Sequence, residues 1–506
     1  MQEKIDKIKE LYKKWSGAEP ASVDILPQAG SERRYFRLWN ENKEPVIGTY
    51  GANIPENESF LYFSEHFSAK GLPGANIYAV SEDRQFYLQE DFGDVSLISR
   101  LEKEGYTPGV YALYKQSLEK LARLQVEGDK GLDYSKCLTN SEFGKQAIMA
   151  DLLYFKYYFL DALRKPYDKQ KLIDDFEALS TYLTHTDHKF FMFRDFQSRN
   201  IQVTPPPSGE SEGAVHFIDY QGGMKGAPQY DVASLLWQAR AALPEDWKKE
   251  LLKDYMEALE PLLERPLNRS SFKSQYNGYV LIRLLQVLGA YGFRGLFERK
   301  AHFLTSIPLA LKNLKAFIET HPMGISVPEF DKVLQICVAD EIIQQFTPVQ
   351  ATDKTPLVVK VCSFSFKKGL PVHDEENGGG FVFDCRGILN PGRIESMKYQ
   401  TGRDKEVIQF LEQQTKMPVF LNSVFDVVDI SVEDYIKRGF DSLYVSFGCT
   451  GGQHRSVYAA DALARHLKNK FKVKVELNHW IQDEKNWVNE RPPTPEGEAS
   501  APVPEK

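Results

Sequence analysis

The chain has 506 residues, a net charge of −7 and 12% aromatic residues, among them 32 Phe and 25 Tyr. At roughly 150 residues per unit this length suggests about three folding units, and 42% hydrophobic against 26% charged residues excludes a mainly disordered chain. The acidic balance argues against nucleic-acid binding through a bulk positive field. Five scattered cysteines without a C-x-x-C pair argue against a disulfide framework or a cysteine-based zinc site. Residues 1–15 have Ile5, Ile8, Leu11, Tyr12 and Trp15 at helical spacing. Short β-like pieces follow at Tyr35–Trp39, Pro45–Thr49 and Phe86–Glu90. From Val95 to Leu183 the pattern is helical, most clearly over Tyr111–Gln125 and Phe143–Leu163. Two short strands, Ile201–Val203 and Val215–Ile218, flank the turn-rich TPPPSGESEG of Thr204–Gly213. Residues 247–318 are helical again.

The polar stretch 341–356 marks a boundary, and a strand-like PLVVKVCSFSF opens a further α/β region. Within it Asp441–Phe447 is an expected strand and Ser456–Lys468 an expected helix. The expected tail, 486–506, has no apolar periodicity. The N-terminus has no apolar leader core, and no apolar run approaches the ~20 residues of a membrane span. The expectation is therefore a cytoplasmic protein with no membrane partner.

Phe191–Val203 reads FMFRDFQSRNIQV and Val215–Gly222 reads VHFIDYQG. Asp195 and Asn200 lie five apart on a turn, and Asp219 ends a strand. Phosphoryl transfer asks little of a protein beyond a carboxylate for the attacking hydroxyl and oxygen ligands for a metal on the nucleotide phosphates. Asp195 fits the first role; Asn200 and Asp219 fit the second, with ATP and Mg²⁺ as the expected cofactors. D-x4-N followed by a strand-borne Asp is the kinase pattern; taken singly, each residue would also suit a capped turn.

FRDFQSRN with IDYQGG resembles the aminoglycoside phosphotransferase and choline kinase-like family, most closely its anomeric N-acetylmuramate/N-acetylglucosamine kinases. GSERRYFRL from Gly30, FYLQEDFGD from Phe86, YDVASLLWQA from Tyr230 and RLLQVLGAYGFRG from Arg283 extend that resemblance over residues 15–320. It implies an α+β two-lobed protein-kinase-like fold, with an N-lobe over 1–94 and a helical C-lobe over 95–340. Phe193 stands where the family usually has His, so the bracing of the loop must come from elsewhere. PVIGTY, residues 45–50, has no lysine of the V-A-I-K type. Arg33, Arg34 and Arg37 are candidate phosphate contacts in its place, although a solvated strand face would also explain them. Asp91-Phe92-Gly93 spells DFG but precedes Asp195 by about a hundred residues, so it is read as the hinge, with Glu90 and Phe92 as nucleotide neighbours.

Leu443–Ser456 reads LYVSFGCTGGQHRS, a strand entering a glycine-rich turn and a helix. Converging N–H groups and the helix N-terminus make an anion site, and Arg455 could close it on a phosphate. C-x5-R-S is also the loop of tyrosine-phosphatase-type enzymes, but Gly448 replaces their usual His. With SFSFKKGLP, FVFDCRGILNPG and TGRD, the segment resembles the RapZ C-terminal domain over residues 357–485. That resemblance implies a separate α/β domain with a strand–phosphate loop–helix, binding of glucosamine-6-phosphate, and protein or RNA contacts. Its implied ligand shell is Lys368, Thr450, Gly451, Gly452, His454 and Arg455, with Asp384, Arg386 and His479 as site or scaffold; Lys368 stands where the family tends to have His. For Cys449 a structural role under the loop is favoured over a nucleophilic one. Lys468, Lys470, Lys472 and Lys474 suggest a lysine-bearing strand edge, solvated or RNA-binding.

The leading expectation is a sugar kinase acting on an amino sugar of the N-acetylmuramate or N-acetylglucosamine type, fused to a sugar-phosphate-binding domain. The alternatives are a regulatory adaptor with a degenerate kinase-like part, and a C-terminal phosphatase.

Overall fold

The computed structural model describes residues 2–27, 33–205, 213–298, 301–372 and 379–484. The expected tail, the centre of the turn-rich loop (206–212) and the GSE of GSERRYFRL lie outside these residues. The chain forms two compact units: Met1–Ala290 with Leu309–Ala339, and Tyr291–Pro308 with Asp340–Lys506.

In the first unit, helix α1 (Gln2–Ser16) buries Ile8, Leu11 and Tyr12. They meet Phe36, Leu38, Val46, Phe86 and Leu88 of an antiparallel sheet. That sheet holds β1 (Ser22–Ile25), β2 (Arg34–Trp39), β3 (Pro45–Tyr50), β4 (Ile77–Val80) and β5 (Phe86–Glu90), ordered β1-β2-β3-β5-β4. The β-branched and aromatic runs read from sequence are its three central strands. Helix α2 (Ile54–Ser68) lies between β3 and β4; Asn53 caps it by accepting from Glu56 N. Helices α3 (Leu97–Glu104) and α4 (Pro108–Asp129) start on Ser96 and Thr107 caps. After α5 (Lys145–Phe155) and α6 (Lys169–Thr184) come two antiparallel ribbons. β6 (Phe190–Met192) pairs with β9 (Met224–Gly226), and β7 (Ile201–Thr204) with β8 (Ala214–Phe217). Helices α7 (Gln229–Leu236), α8 (Glu245–Leu259) and α9 (Arg269–Tyr291) follow. A sheet-rich part thus precedes a helical part interrupted by short strands, the two-lobed protein-kinase-like order.

The expected absence of any membrane-length apolar stretch is corrected at one place. Helix residues Arg269–Phe297 are long and apolar enough to cross a membrane, and more than half of the apolar stretch is buried inside the protein. Arg283 and Gln286 hide it from a reading of uninterrupted apolar runs.

After α10 (Ala301–Leu304), α11 (Ile307–Thr320) and α12 (Pro328–Cys337), the stretch read as a polar linker opens with a helix, α13 (Asp340–Phe346). The second unit is a parallel sheet ordered β11-β12-β10-β13. Its strands are β10 (Val358–Ser365), β11 (Gly379–Asp384), β12 (Ser442–Cys449) and β13 (Lys474–His479); its main helices are α14 (Lys405–Gln414), α15 (Met417–Arg438) and α16 (Arg455–Phe471), and a short α17 (Trp480–Glu484) closes it. Val359, Val361, Leu443, Val445 and Phe447 are buried against Leu463, Leu467 and Phe471, the near-continuous apolar strands of a covered parallel sheet. The lysine-bearing strand edge is corrected here. Lys468 and Lys470 belong to α16, Lys472 has φ +56, and only Lys474 enters a strand. The Ala464, Leu467, Phe471 spacing keeps the chain helical to Phe471.

Candidate active site and phosphate cradle

Ribbons β6–β9 and β7–β8 bring the first group of predicted residues together. Asn200 Nδ2 donates to Asp195 O at 2.9 Å and lies 3.4 Å from Asp219 Oδ2. Ile218 N donates to Asn200 O, tying the segment that carries Asp219 to the loop. Asp219 has φ +71 and Arg194 φ +78. Left-handed conformations at non-glycine residues cost energy and cluster at functional sites. Gln221 Nε2 donates to Asp219 Oδ1 at 2.8 Å, so this amide steadies the carboxylate.

Asp195 Oδ1 accepts from Arg283 Nη2 at 2.7 Å, and Arg199 lies 3.8 Å from Oδ2. Burial pushes the Asp195 carboxyl up, while Arg283, Arg199 and Arg194 pull it down; the arginines win and hold it below the usual value. Asp195 is thus ionised at neutral pH and suited to orient a hydroxyl. Asp219 and Asn200 offer a carboxylate and an amide oxygen, hard ligands that fit Mg²⁺ at a site completed by water and phosphate. Among the described residues no group of three or more His, Cys, Asp or Glu gathers as a dedicated metal cage.

The missing loop histidine is compensated from α7. Buried Asp231 accepts from Phe193 N at 2.8 Å, Arg194 N at 2.9 Å and Gln125 Nε2 at 2.9 Å. Burial raises its carboxyl to about 6 despite those bonds. Phe193 packs edge-on to Phe196, Phe217 and Tyr220, an apolar substitute for a hydrogen-bonding side chain. Arg194 reaches Tyr230 OH and Asp151 Oδ1, both at 2.7 Å. Sequence reasoning missed Asp231 and Arg283 as site residues. A charge inside the apolar run VLIRLLQVLG was the available signal for Arg283.

The three N-terminal arginines separate. Arg37, expected at the nucleotide, is corrected: Nε, Nη1 and Nη2 all donate to Asp91 or Asp94. Asp91 thereby braces β2. Arg33 pairs with Glu56 at 3.1 Å. Arg34 sits opposite Tyr50 in the sheet. In the stretch expected to be the hinge, Glu90 accepts from Asn76, and the Phe92 ring stacks on His216 at 4.2 Å. Burial and Lys120 drive the His216 imidazole down to about 4, so it is neutral under that ring.

In the second unit β12 ends at Cys449 and α16 begins at Arg455, with Thr450–His454 forming the loop. Gly452 has φ +68, and an added Cβ would lie 3.1 Å from Ser365 N, so glycine is required. Gly452 N points at Cys449 Sγ at 3.2 Å, and Ser456 Oγ lies 3.2 Å from it. Burial raises the thiol, but the Ser456, Arg455 and Gly452 contacts outweigh it and lower it. Cys449 itself is only 3% exposed, which favours support of the loop over attack on a ligand. Ser365 Oγ holds Thr450 O at 2.8 Å. Arg455 Nη1 donates to Ile388 O at 2.7 Å and Arg386 O at 3.1 Å, and Nη2 lies 3.4 Å from Thr450 Oγ1. Its buried Nε has no partner among the described residues.

His454 is buried with Nε2 3.0 Å from Met397 O, which makes it a brace at the helix start. Lys368 pairs with Glu484. Asp384 pairs with Arg386, whose guanidinium covers the Phe366 ring at 3.9 Å. His479 Nδ1 lies 2.8 Å from Ser363 Oγ, and its other nitrogen faces Asp461, which Arg403 also holds. Ser363 is buried, so this series is scaffold.

Residues 28–266 match the phosphotransferase enzyme family, and residues 357–481 match the RapZ C-terminal domain. A nucleotide-binding protein of Endomicrobium trichonymphae is 36% identical over 189 residues, covering 33% of this chain and 64% of the relative. One of Acetivibrio thermocellus is 41% identical over 111 residues, covering 22% of this chain and 36% of the relative. The chain thus spans less than two thirds of the length of these relatives. Among solved structures, an amicoumacin kinase in complex with AMP-PNP, Ca²⁺ and its ligand is 12% identical with a TM-score of 0.44, covering 65% of this chain and all of that one. A choline kinase of Cryptosporidium parvum is also 12% identical, with a TM-score of 0.44 and coverage of 66% and 99%. The chain therefore matches the phosphotransferase enzyme family over residues 28–266 and the RapZ C-terminal domain over residues 357–481.

Proposed function

We propose that the protein is an ATP- and Mg²⁺-dependent cytoplasmic kinase of a small-molecule hydroxyl, with an amino sugar of the N-acetylmuramate or N-acetylglucosamine type as acceptor and the anomeric oxygen as the site phosphorylated. The observation that carries this reading is the convergence of Asp195, Asn200 and Asp219 on one loop pair. Asp195 orients the attacking hydroxyl through its ionised carboxylate. Asp219 and Asn200 hold the cation, which when bound neutralises charge on the nucleotide phosphates. Asp231 and Arg283 keep the loop and its carboxylate in position. The amino-sugar assignment is supported by the segments around Gly30, Phe86, Tyr230 and Arg283, which resemble the anomeric kinases. The C-terminal domain is proposed to bind glucosamine-6-phosphate in the loop between Cys449 and Arg455, and protein or RNA contacts would fall to this domain.

One observation favours a second reading, a regulatory adaptor with an inactive kinase-like part: β3 carries no lysine. Purified protein with ATP, Mg²⁺ and a panel of amino sugars separates the two. Phosphate transfer to an amino sugar, reduced about 10²–10⁴-fold in Asp195→Asn, is expected. Absence of transfer together with absence of nucleotide binding would favour the adaptor.

A further inference from the structure

The lysine missing from β3 leaves no cation on that strand to meet nucleotide phosphates. In protein kinases that lysine is held by a glutamate of the helix following β3. Here α2 follows β3, and Glu56 in its first turn holds Arg33 at 3.1 Å. Tyr35 lies directly opposite Thr49 of β3. Arg33 immediately precedes β2. Its guanidinium lies 5.8 Å from the Phe60 ring and pairs with Glu56, and its charge is acted on by Tyr87 and Tyr35. Phe60 stacks on Tyr220, the neighbour of Asp219, at 5.0 Å.

Two further contacts join this pair to the metal side. Gln221 Nε2 donates to Asp219 Oδ1 at 2.8 Å and lies 3.4 Å from Glu56 Oε1. Arg33 is only 4% exposed, and its Nε is buried with no hydrogen-bond partner among the described residues. An unpartnered buried guanidinium N–H costs energy, and an incoming acceptor oxygen would relieve it. Arg37 cannot take this part, since Asp91 and Asp94 occupy its fork.

We propose that Arg33, held by Glu56, replaces the absent β3 lysine as the phosphate-directed cation, and that Gln221 links this pair to Asp219. The inference rests on the nucleotide-dependent reading above and deepens it. A guanidinium offers a phosphate two parallel donors where an ammonium offers a point charge, so the substitution retains the charge and adds direction. Glu56 and Gln221 are then positioning residues for the phosphates and the cation.

The test is calorimetric binding of ATP, ADP and adenosine to the full chain, wild type against Arg33→Gln and Arg33→Lys, with melting temperatures in parallel. Arg33→Gln should weaken ATP and ADP at least tenfold and leave adenosine within twofold; Arg33→Lys should recover most of the loss. ATP binding to Arg33→Gln within twofold of wild type would overturn the proposal. Equal loss of ATP and adenosine with a lowered melting temperature in both variants would overturn it too, because the role would then be structural. If wild type binds no nucleotide, the kinase reading itself fails; if wild type binds nucleotide and phosphorylates no sugar, the Arg33 proposal still stands or falls on the ATP-to-adenosine comparison.

Discussion

Replacing Arg283 with Met removes the closest cation to the Asp195 carboxylate while keeping the apolar stem of the side chain. The pair is in contact at 2.7 Å, with Arg283 6% and Asp195 42% exposed. Unit charges with centres about 4 Å apart interact by roughly 4 kcal/mol at an effective dielectric of about 20. The open side of Asp195 screens that to about half, or ~2 kcal/mol, which is about 1.5 pH units. Burial already pushes this carboxyl upward, so losing Arg283 leaves the upward effect opposed only by the more distant Arg199 and Arg194. In wild type the carboxyl titrates below the usual carboxylate range, and kcat/KM for phosphate transfer should be flat as pH falls from 7 to about 5. In Arg283→Met the acid limb should move up in pH relative to wild type. Arg283→Lys, which keeps the charge, should place the limb close to wild type. An acid limb in the same position in all three proteins, whatever the amplitude, would refute the electrostatic role and leave Arg283 as packing.

Three further outcomes are expected. For Asp231 the folded carboxyl lies near 6 and the unfolded one near 3.8, so between these values the folded state holds more protons and stability falls as pH rises, by about 3 kcal/mol in total. Asp231→Asn should flatten that part of the pH dependence in urea unfolding; an unchanged slope would show that Asp231 titrates normally. Asp219→Ala should weaken Mg²⁺-dependent ATP binding at least tenfold and leave adenosine binding unchanged; equal effects on both would remove Asp219 from the cation site. Arg455→Ala should weaken glucosamine-6-phosphate binding at least tenfold, since a charge-assisted bond to phosphate contributes about 1.5–3 kcal/mol; equal affinity would remove Arg455 from the cradle.

The grouping of Asp195, Asn200 and Asp219 was legible because it is local. Asp195 and Asn200 sit on one turn, and Asp219 ends the next strand, so spacing alone placed them together. Asp231 was hidden although YDVASLLWQA was recognised as the following helix. What it does depends on two backbone N–H groups nearly forty residues earlier, and a backbone donor carries no sequence signature. Arg37 shows the converse. An arginine on a strand near a hinge suggests phosphate binding, but Asp91 and Asp94 arrive from beyond β5 to occupy it. β1 and β4 escaped because each has only four residues and half-exposed faces, too short for an alternation to declare itself.

The second unit separates a loop's shape from its side chains in the same way. GCTGGQHRS together with the glycine of TGRD fixes the strand, the turn and the helix start, because Gly452 has φ +68 and an added Cβ at Gly402 would lie 2.2 Å from His454 O. Those constraints are backbone constraints and are written in the glycines. Which side chains face a ligand is decided by neighbours remote in sequence: Met397 takes His454, Glu484 takes Lys368, and the carbonyls of Arg386 and Ile388 take one end of Arg455. Backbone N–H groups escape these side-chain captures, although Gly452 N already donates to Cys449 Sγ. The phosphate-binding reading therefore depends most on the Thr450 and Gly451 amides and the unpartnered Nε of Arg455, and least on Lys368 and His454. Removing His454 should change affinity only as far as it loosens the helix start, whereas a Cβ at Gly452 should disturb the cradle itself.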